Sequence, residues 1–253
     1  MFALEPGQAG PLLTQLGRDL PRPKAIAVIS PHWMTRGAAV STTPQPKTIH
    51  DFSGFDPRLY SMHYPAPAHI EYAEFAINLL VAAGWQPRAD ASWGLDHGAW
   101  VPLSYLYPEA DVPVFQISLP AGLSLPQALA YGQALAGLRD EGVLIIGSGS
   151  LTHNLSEFRG GRVMDAPVSA YVPEFAAWVS EVLAAGDAQR LCRTFDEAPH
   201  AHRAHPTDEH YQPLLVALGA SLQNGQAAPA RRLDGGVAYG ILSMDSYVFG
   251  EGA

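Results

Sequence analysis

The sequence predicts an α/β fold with a central, mostly buried sheet flanked by helices. Three short apolar, β-branched runs, residues 25–30, 114–119 and 142–147, predict buried strands. Helical patterns lie between them, and strands that are apolar on both faces are typical of sheets with helices on each side. No linker is long enough to divide the 253 residues, so we expect a single domain over residues 1–253, with a cleft in loops at the carboxyl ends of the strands.

Four helices and one further strand follow from apolar spacing and from end signals. A helix over residues 70–83 has apolar residues on one face and ends before Gly84. Ser124 and Gln127 indicate a capping box at the start of a helix that runs to about residue 140. The remaining predictions are helices over residues 172–185 and 214–218, the second after Pro213, and a strand or hairpin arm over residues 240–249.

Composition excludes several classes of protein. The net charge is −9 with 15 Lys and Arg, which argues against nucleic-acid binding because that needs a basic surface. No apolar run approaches the ~18 residues of a membrane span. The first residues lack the basic start and apolar core of a secretion signal, and the single Cys192 excludes an internal disulfide. We therefore expect a cytoplasmic protein with no membrane and no nucleic-acid partner.

Histidines in loop-like stretches are the main sign of function. His50, His97, His153 and His210 each lie near a Gly or Pro rather than on an apolar stripe. Neutral imidazole is the commonest protein ligand for zinc and iron, and it suits proton transfer near neutral pH. We expect several of these side chains to converge on one site. For His50 alone, a hydrogen-bonding loop histidine explains the pattern equally well.

A long aromatic loop predicts either a substrate wall or a rigid surface segment. Residues 42–67 are rich in Pro, Gly and aromatics, and the part around His50 and His63 includes Phe52 and Tyr64. Such loops inside a compact domain are usually functional, and aromatic walls suit a flat organic ligand. The two interpretations are equally favoured by this segment alone.

Other histidines and motifs indicate less. Asp96 precedes His97, and an Asp–His pair can orient an imidazole for acid–base work. His32 beside Trp33 favours packing or a supporting position. The spacing of His200, His202 and His205 resembles that of metal ligands, but the surrounding Pro and Ala predict an exposed, mobile segment.

Two enzyme classes are disfavoured by the motif after the third predicted strand. Residues 147–150, Gly-Ser-Gly-Ser, lack both the Lys of a phosphate-binding loop and the third Gly of a dinucleotide fingerprint. No Gly-x-Ser-x-Gly elbow is present, so serine catalysis is a weaker alternative.

Six motifs in a fixed order resemble a known family. They are Pro31-His32-Trp33, Thr48-Ile49-His50-Asp51-Phe52-Ser53-Gly54-Phe55, His63-Tyr64-Pro65-Ala66-Pro67, Gly94-Leu95-Asp96-His97-Gly98, His153-Asn154-Leu155 and Glu209-His210-Tyr211-Gln212-Pro213-Leu214-Leu215. The chain resembles the class III extradiol ring-cleavage dioxygenases, in particular the 4,5-DOPA extradiol dioxygenase-like branch. The resemblance runs from the first residues to the last predicted strand.

The resemblance implies a single-domain α/β fold with one metal ion in a cleft, Fe(II) for ring cleavage and Zn(II) in some members. By this match His50 and His210 are metal ligands. His153 is the acid–base residue and lies close enough to count as a ligand. His97 contacts substrate or oxygen. The residues expected to line the substrate are His32, His63, Phe52 and Tyr64.

The chain departs from the family pattern at its start. Family members begin with a short strand that ends in a ligand histidine, in His-Gly-Ser-Pro, followed by a Met, whereas this sequence starts at Met1. We therefore expect the first strand and one ligand to be absent, which would weaken metal binding and leave a sheet edge open. The adjacency of Glu209 and His210 also leaves open which of them faces the metal.

The function expected from the resemblance is that of an oxidoreductase. It would cleave the aromatic ring of a catechol such as DOPA and incorporate both atoms of O2, with activity impaired by the missing ligand. Two alternatives are a zinc-dependent hydrolase on the same scaffold, in which the metal activates water, and a noncatalytic metal-binding member. A homodimer is the favoured assembly, because dimers are common among such enzymes.

Overall fold

A five-stranded sheet forms the centre of the fold in a computed structural model that describes residues 2–158, 163–227 and 230–250. The other positions of the predicted 1–253 domain, Met1 included, lie outside the described residues. The strands are β1 (Ala25–Thr35), β2 (Ala39–Ser41), β3 (Arg88–Asp90), β4 (Val114–Pro120) and β5 (Val143–Gly147). Their order in the sheet is β3-β2-β4-β1-β5. β4 and β5 both pair in parallel with β1, whereas β2 runs antiparallel to β4.

Alternation along β1 explains why both faces of the sheet are covered. Ala25, Ala27 and Ile29 belong to one apolar cluster, and Ile26 and Val28 belong to a second cluster on the opposite face. All five side chains are fully buried. Successive strand residues point to opposite faces, so a run that is apolar throughout needs a helical layer on each side. The three predicted strands are therefore confirmed as β1, β4 and β5 of an α/β fold.

Helices supply those two layers. The helices are α1 (Ala9–Asp19), α2 (Ile70–Ala82), α3 (His97–Leu106), α4 (Leu125–Ala134), α5 (Gly137–Asp140), α6 (Tyr171–Ala184), α7 (Ala188–Leu191), α8 (Thr194–Glu197), α9 (Ala201–Ala204) and α10 (Gln212–Ser221). α1 and α3 pack on the face of Ile26 and Val28, and α2, α4, α6 and α10 pack on the other face. Among the described residues, no helix has the length and apolar character needed to cross a membrane.

The helix predictions are confirmed, with two changes in extent. Ser124 and Gln127 form the expected capping box at the start of α4. The helix predicted to run to residue 140 is divided into α4 and α5, and α10 is longer than the predicted 214–218 segment. The strand or hairpin arm predicted over 240–249 consists of two short strands, β8 (Leu242–Ser243) and β9 (Ser246–Val248). They pair antiparallel with two strands that precede this range, β8 with β7 (Val237–Ala238) and β9 with β6 (Arg231–Leu233).

β5 lies at one edge of the sheet and borders a large cavity. Its residues are apolar, yet Leu144, Ile145 and Ile146 are only partly buried. The cavity has a volume of about 1690 Å³, and its lining includes these three residues and Val248. It continues to the carboxyl ends of β1 and β5. A functional site is therefore expected at that end of the molecule, where the cavity meets the carboxyl ends of the strands.

The backbones of α4 and α10 approach each other closely at two glycines, and substitution of these glycines tests that packing. A Cβ atom at Gly132 would lie 2.0 Å from the Val216 carbonyl oxygen, and one at Gly219 would lie 2.0 Å from that of Leu129. Gly→Ala normally stabilises a helix by roughly 1 kcal/mol. Here we expect Gly132→Ala and Gly219→Ala each to lower the free energy of unfolding by about 1–3 kcal/mol, because of overpacking.

Urea denaturation measures this difference. Gly137→Ala is the matched control, because a Cβ there meets only the flexible side chain of Leu79, at 3.1 Å. The described packing of α4 on α10 is wrong if Gly132→Ala and Gly219→Ala are as stable as that control.

Candidate metal centre

Four histidines meet at the carboxyl ends of β1 and β5. The ring centroids of His32 and His97 are 3.8 Å apart, and those of His32 and His210 are 5.3 Å apart. His153 stacks on His210 with a centroid distance of 3.5 Å and an angle of 10° between the rings. All four line the large cavity. Sites of α/β folds form at this end of parallel strands, because loops from separate strands converge there.

Each histidine is positioned by a different segment. His32 lies within β1 at the point where pairing with β4 shifts between Ser30 and Met34. His97 begins α3, which is capped by the side chain of the preceding aspartate. His153 follows β5, and its backbone N–H donates to the Ala204 carbonyl at 2.8 Å. His210 precedes α10.

Two glycines allow these segments to approach one another. A Cβ atom at Gly98 would lie 2.3 Å from the Ser30 hydroxyl and 3.1 Å from the His32 ring. One at Gly149 would lie 2.3 Å from the His210 carbonyl oxygen, which accepts a hydrogen bond from the Ser150 N–H at 3.0 Å. A side chain at either position would push the segments apart, so the cluster depends on both glycines.

Burial keeps these imidazoles neutral. Desolvation, reinforced by repulsion from His97 and His210, lowers the pKa of His32 to about 3. Desolvation and repulsion from His210 lower the pKa of His153 to about 4, and desolvation also lowers the pKa of His210. Near neutral pH the three rings therefore lack a proton on one nitrogen. That is the form in which histidine binds a metal ion.

Two carboxylates hold two of the rings from outside. Glu209 lies 3.0 Å from His210 Nδ1, and Asp51 lies 2.9 Å from His97 Nδ1. Partial burial raises the pKa of each carboxyl group, but hydrogen bonds, including those from the histidines, outweigh it and lower both pKa values overall. An ionised carboxylate only accepts hydrogen bonds, so each ring has its hydrogen on Nδ1 and leaves Nε2 available.

The donor atoms fit a divalent metal ion. In the described part of the chain, two groups each have ligand atoms within 4.8 Å of one another: His32, Asp51 and His97, and His153, Glu209 and His210. Imidazole nitrogen with carboxylate oxygen suits Fe(II) or Zn(II). Since Asp51 and Glu209 already accept ring N–H groups, the imidazoles are the available ligands and the carboxylates their orienting partners.

His50 lies outside this cluster. Its Nε2 is 3.0 Å from the Met62 carbonyl oxygen, and its ring neighbours are Phe52, Tyr60, His63 and Trp100. It does not line the cavity. The geometry therefore does not support His50 as a metal ligand, and it brings His32 to the cluster instead.

The residues predicted to line the substrate divide into two sets. Phe52 lines the cavity with its ring 5.6 Å from that of His97. Tyr64 is buried in the core, where its hydroxyl donates to the Tyr107 carbonyl at 2.8 Å. His63 is exposed and packs beside His50. Tyr64 and His63 therefore both lie outside the cavity lining, whereas Phe52 is part of it.

The segment predicted as exposed and mobile includes one buried histidine. His205 is 1% exposed, and its Nε2–H donates to the Leu151 carbonyl at 2.8 Å. His202 is exposed as expected, and His200 pairs with Glu174 at 2.8 Å. The prediction was wrong for His205 because the carbonyl it bonds is 54 residues distant in the chain.

Asp51 is the member of this cluster that the residue patterns did not single out. For His97 the sequence offered the adjacent Asp96 as a partner, with little weight because adjacent residues need not face each other. Asp96 instead caps α3 by accepting from the Ala99 N–H, and it also accepts from the Gln116 side chain at 2.9 Å. Asp51 and His97 are 46 residues apart, so no local spacing rule links them.

Comparison with known proteins identifies the class to which this fold and site belong. The model of the family described as "Catalytic LigB subunit of aromatic ring-opening dioxygenase" matches residues 12–241. A "4,5-DOPA dioxygenase extradiol" of Beta vulgaris is 42% identical over 229 residues, 90% of this chain and 83% of that protein. One of the same name from Escherichia coli K12 is 37% identical over 241 residues, 93% of this chain and 86% of that protein.

A solved structure agrees. The crystal structure of an uncharacterized protein from Escherichia coli K12 has a TM-score of 0.73 and 33% identity, and the match covers 94% of this chain and 91% of that one. The chain therefore belongs to the family of catalytic LigB subunits of aromatic ring-opening dioxygenases. Membership implies a metal cofactor, consistent with the histidine and carboxylate groups described above.

Acid sensitivity of the metal-free protein follows from the buried histidines. Desolvation lowers the pKa of His205 to about 4. The unfolded chain therefore takes up a proton below pH 6.5 that the folded state takes up only near pH 4, so stability falls as the pH falls through that window. The slope is about 1.4 kcal/mol per pH unit for each such group. His205→Gln keeps an N–H donor and removes the titration, so we expect it to lose about 2 kcal/mol less than the wild type between pH 7 and pH 5.

Urea unfolding at the two pH values measures this loss. The control is His202→Gln, which replaces an exposed histidine and should keep the wild-type dependence. If His205→Gln loses as much stability on acidification as the wild type, burial of a neutral His205 is not a source of acid sensitivity.

Proposed function

We propose that this chain is an extradiol dioxygenase that opens the aromatic ring of a catechol such as DOPA and inserts both atoms of O2. The observation on which the proposal rests is the cluster of His32, His97, His153 and His210 at one end of a cavity, with two of the rings backed by carboxylates. Family membership and the names of the relatives support it.

In this proposal His32 and His210 hold the metal ion, with His153 beside them. These rings come from β1, from the loop after β5 and from the turn before α10, so tertiary folding brings together residues that are far apart in the sequence. Glu209 lies 3.0 Å from His210 Nδ1, which supports His210 as the ligand and Glu209 as its orienting partner. The metal is Fe(II), which when bound supplies a template for substrate and O2 and a path for electrons.

The protein's own groups supply binding and proton transfer. His153 is neutral near pH 7, so it can take a proton from a substrate hydroxyl and return it as the ring opens. His97 offers the Nε2 lone pair to a substrate hydroxyl, because Asp51 holds the ring hydrogen on Nδ1. Phe52 supplies an apolar wall next to His97, suited to one face of an aromatic ring.

Removal of individual histidines tests these assignments. After anaerobic loading with iron, we expect His32→Ala and His210→Ala to lose both bound metal and oxygen uptake with DOPA and simple catechols. We expect His153→Ala to keep metal while kcat falls by about 10²–10⁴-fold, the usual contribution of a general acid–base. The exposed His202→Ala serves as the control.

Metal analysis beside oxygen consumption separates the alternatives. Loss of metal in His50→Ala but not in His32→Ala would return the ligand role to His50. Stoichiometric metal without oxygen uptake on any catechol would overturn the dioxygenase proposal and favour the zinc-dependent hydrolase or the noncatalytic metal-binding member.

Phe52 and Tyr64 provide a paired test of the substrate wall. Phe52→Ala removes a side chain that lines the cavity, so we expect the KM for a catechol to rise roughly tenfold, corresponding to ~1.4 kcal/mol. Tyr64→Phe removes only the hydrogen bond to the Tyr107 carbonyl, so we expect about 1 kcal/mol lower stability and an unchanged KM. Steady-state kinetics and urea unfolding of both variants measure the two effects. An unchanged KM in Phe52→Ala would remove Phe52 from the site.

A further inference from the structure

Asp51 contacts His97 at two atoms. Its Oδ1 accepts a hydrogen bond from the His97 backbone N–H at 3.0 Å, and its Oδ2 lies 2.9 Å from Nδ1 of the same residue. The side chains of His97 and Asp51 are 31% and 18% exposed, so the pair lies at the wall of the cavity rather than in the core. One carboxylate therefore fixes both the start of α3 and the ring at its first position.

The Asp51 carboxylate hydrogen-bonds His97 and not its other imidazole neighbour, His32. His32 Nδ1 lies 3.8 Å from Asp51 Oδ2, which is beyond hydrogen-bond range. The adjacent Asp96 is not available to His97, since it caps α3 and bonds Gln116. Among the described residues, Asp51 is the only carboxylate that forms an ion pair with the His97 ring.

We propose that Asp51 is a positioning residue that fixes His97 in its Nδ1–H tautomer and leaves the Nε2 lone pair facing the substrate. The catalytic consequence rests on the dioxygenase function proposed above, whereas the tautomer itself does not. A carboxylate has no hydrogen to donate, so the shared hydrogen belongs to Nδ1. Nε2 can then accept a hydrogen bond from a substrate hydroxyl. In the opposite tautomer, Nε2–H can only donate, so it cannot accept the hydrogen of that hydroxyl.

Asp51 also links the aromatic loop to the acid–base machinery. Phe52, the next residue, lines the cavity beside His97. The loop that forms the proposed substrate wall therefore also sets the state of an imidazole that is 46 residues distant.

We expect Asp51→Asn to reverse the tautomer, because the amide has a hydrogen-bond donor where the carboxylate has only acceptors. The His97 backbone N–H can only donate, so it retains the amide oxygen of Asn as its acceptor. The amide nitrogen then faces Nδ1 and donates to it, which forces the ring hydrogen onto Nε2. We expect kcat to fall by about 10²–10⁴-fold with KM changed less than about twofold, because substrate contacts persist and the tautomer is wrong.

Nitrogen-15 NMR of histidine-labelled, metal-free protein reads the tautomer directly. We expect a protonated Nδ1 and an unprotonated Nε2 for His97 in the wild type, and the reverse in Asp51→Asn, with the signal assigned by its absence in His97→Gln. Asp51→Glu should keep the wild-type tautomer and recover part of kcat. The matched control is Asp90→Asn, because Asp90 accepts the backbone N–H groups of Ser92 and Trp93 but does not line the cavity.

The outcomes distinguish this inference from the proposed function. A wild-type His97 with its hydrogen on Nε2, or an Asp51→Asn variant that keeps it on Nδ1, would overturn the role of Asp51. If the wild type shows the Nδ1–H tautomer but consumes no oxygen with any catechol, Asp51 still positions His97 and only the dioxygenase assignment fails. Because the wild-type spectrum alone can refute the inference, a failure of Asp51→Asn to fold leaves it testable.

Discussion

The parallel pairing of β1 with β4 on one side and β5 on the other is the constraint on which the site depends. It places the carboxyl ends of three strands together, so that His32 at the end of β1 and His153 after β5 arrive at one point. α10 packs behind them and brings His210. The approach is close enough that Gly98 and Gly149 are required where segments touch. The histidine cluster is thus a consequence of sheet topology rather than of any local motif.

Local patterns predicted the parts of the molecule that local physics determines. Apolar periodicity located β1, β4, β5 and α2, and the Ser124–Gln127 capping box was visible as a spacing of side chains. Loop punctuation selected His50, His97, His153 and His210, and all but His50 lie in the cluster. These features depend on neighbours within a few positions, which is the range over which a single sequence is informative.

Features set by distant residues were misassigned. His32 lies in a buried strand beside Trp33, so its sequence context indicates packing, and its place in the cluster depends on a register shift against β4. His205 is buried, and it hydrogen-bonds a carbonyl 54 residues away. His97 is bonded by Asp51 rather than by the adjacent Asp96. Tyr64 shares the aromatic loop with Phe52 but turns into the core. Only tertiary contacts distinguish these members of otherwise similar patterns.

The position of β5 at the edge of the sheet has a consequence for access to the site. Residues 143–147 are apolar, and three of their side chains, Leu144, Ile145 and Ile146, are only partly buried beside the cavity. The same cavity reaches the four histidines. One strand therefore supports the loop of His153 and also forms part of the apolar wall beside that histidine.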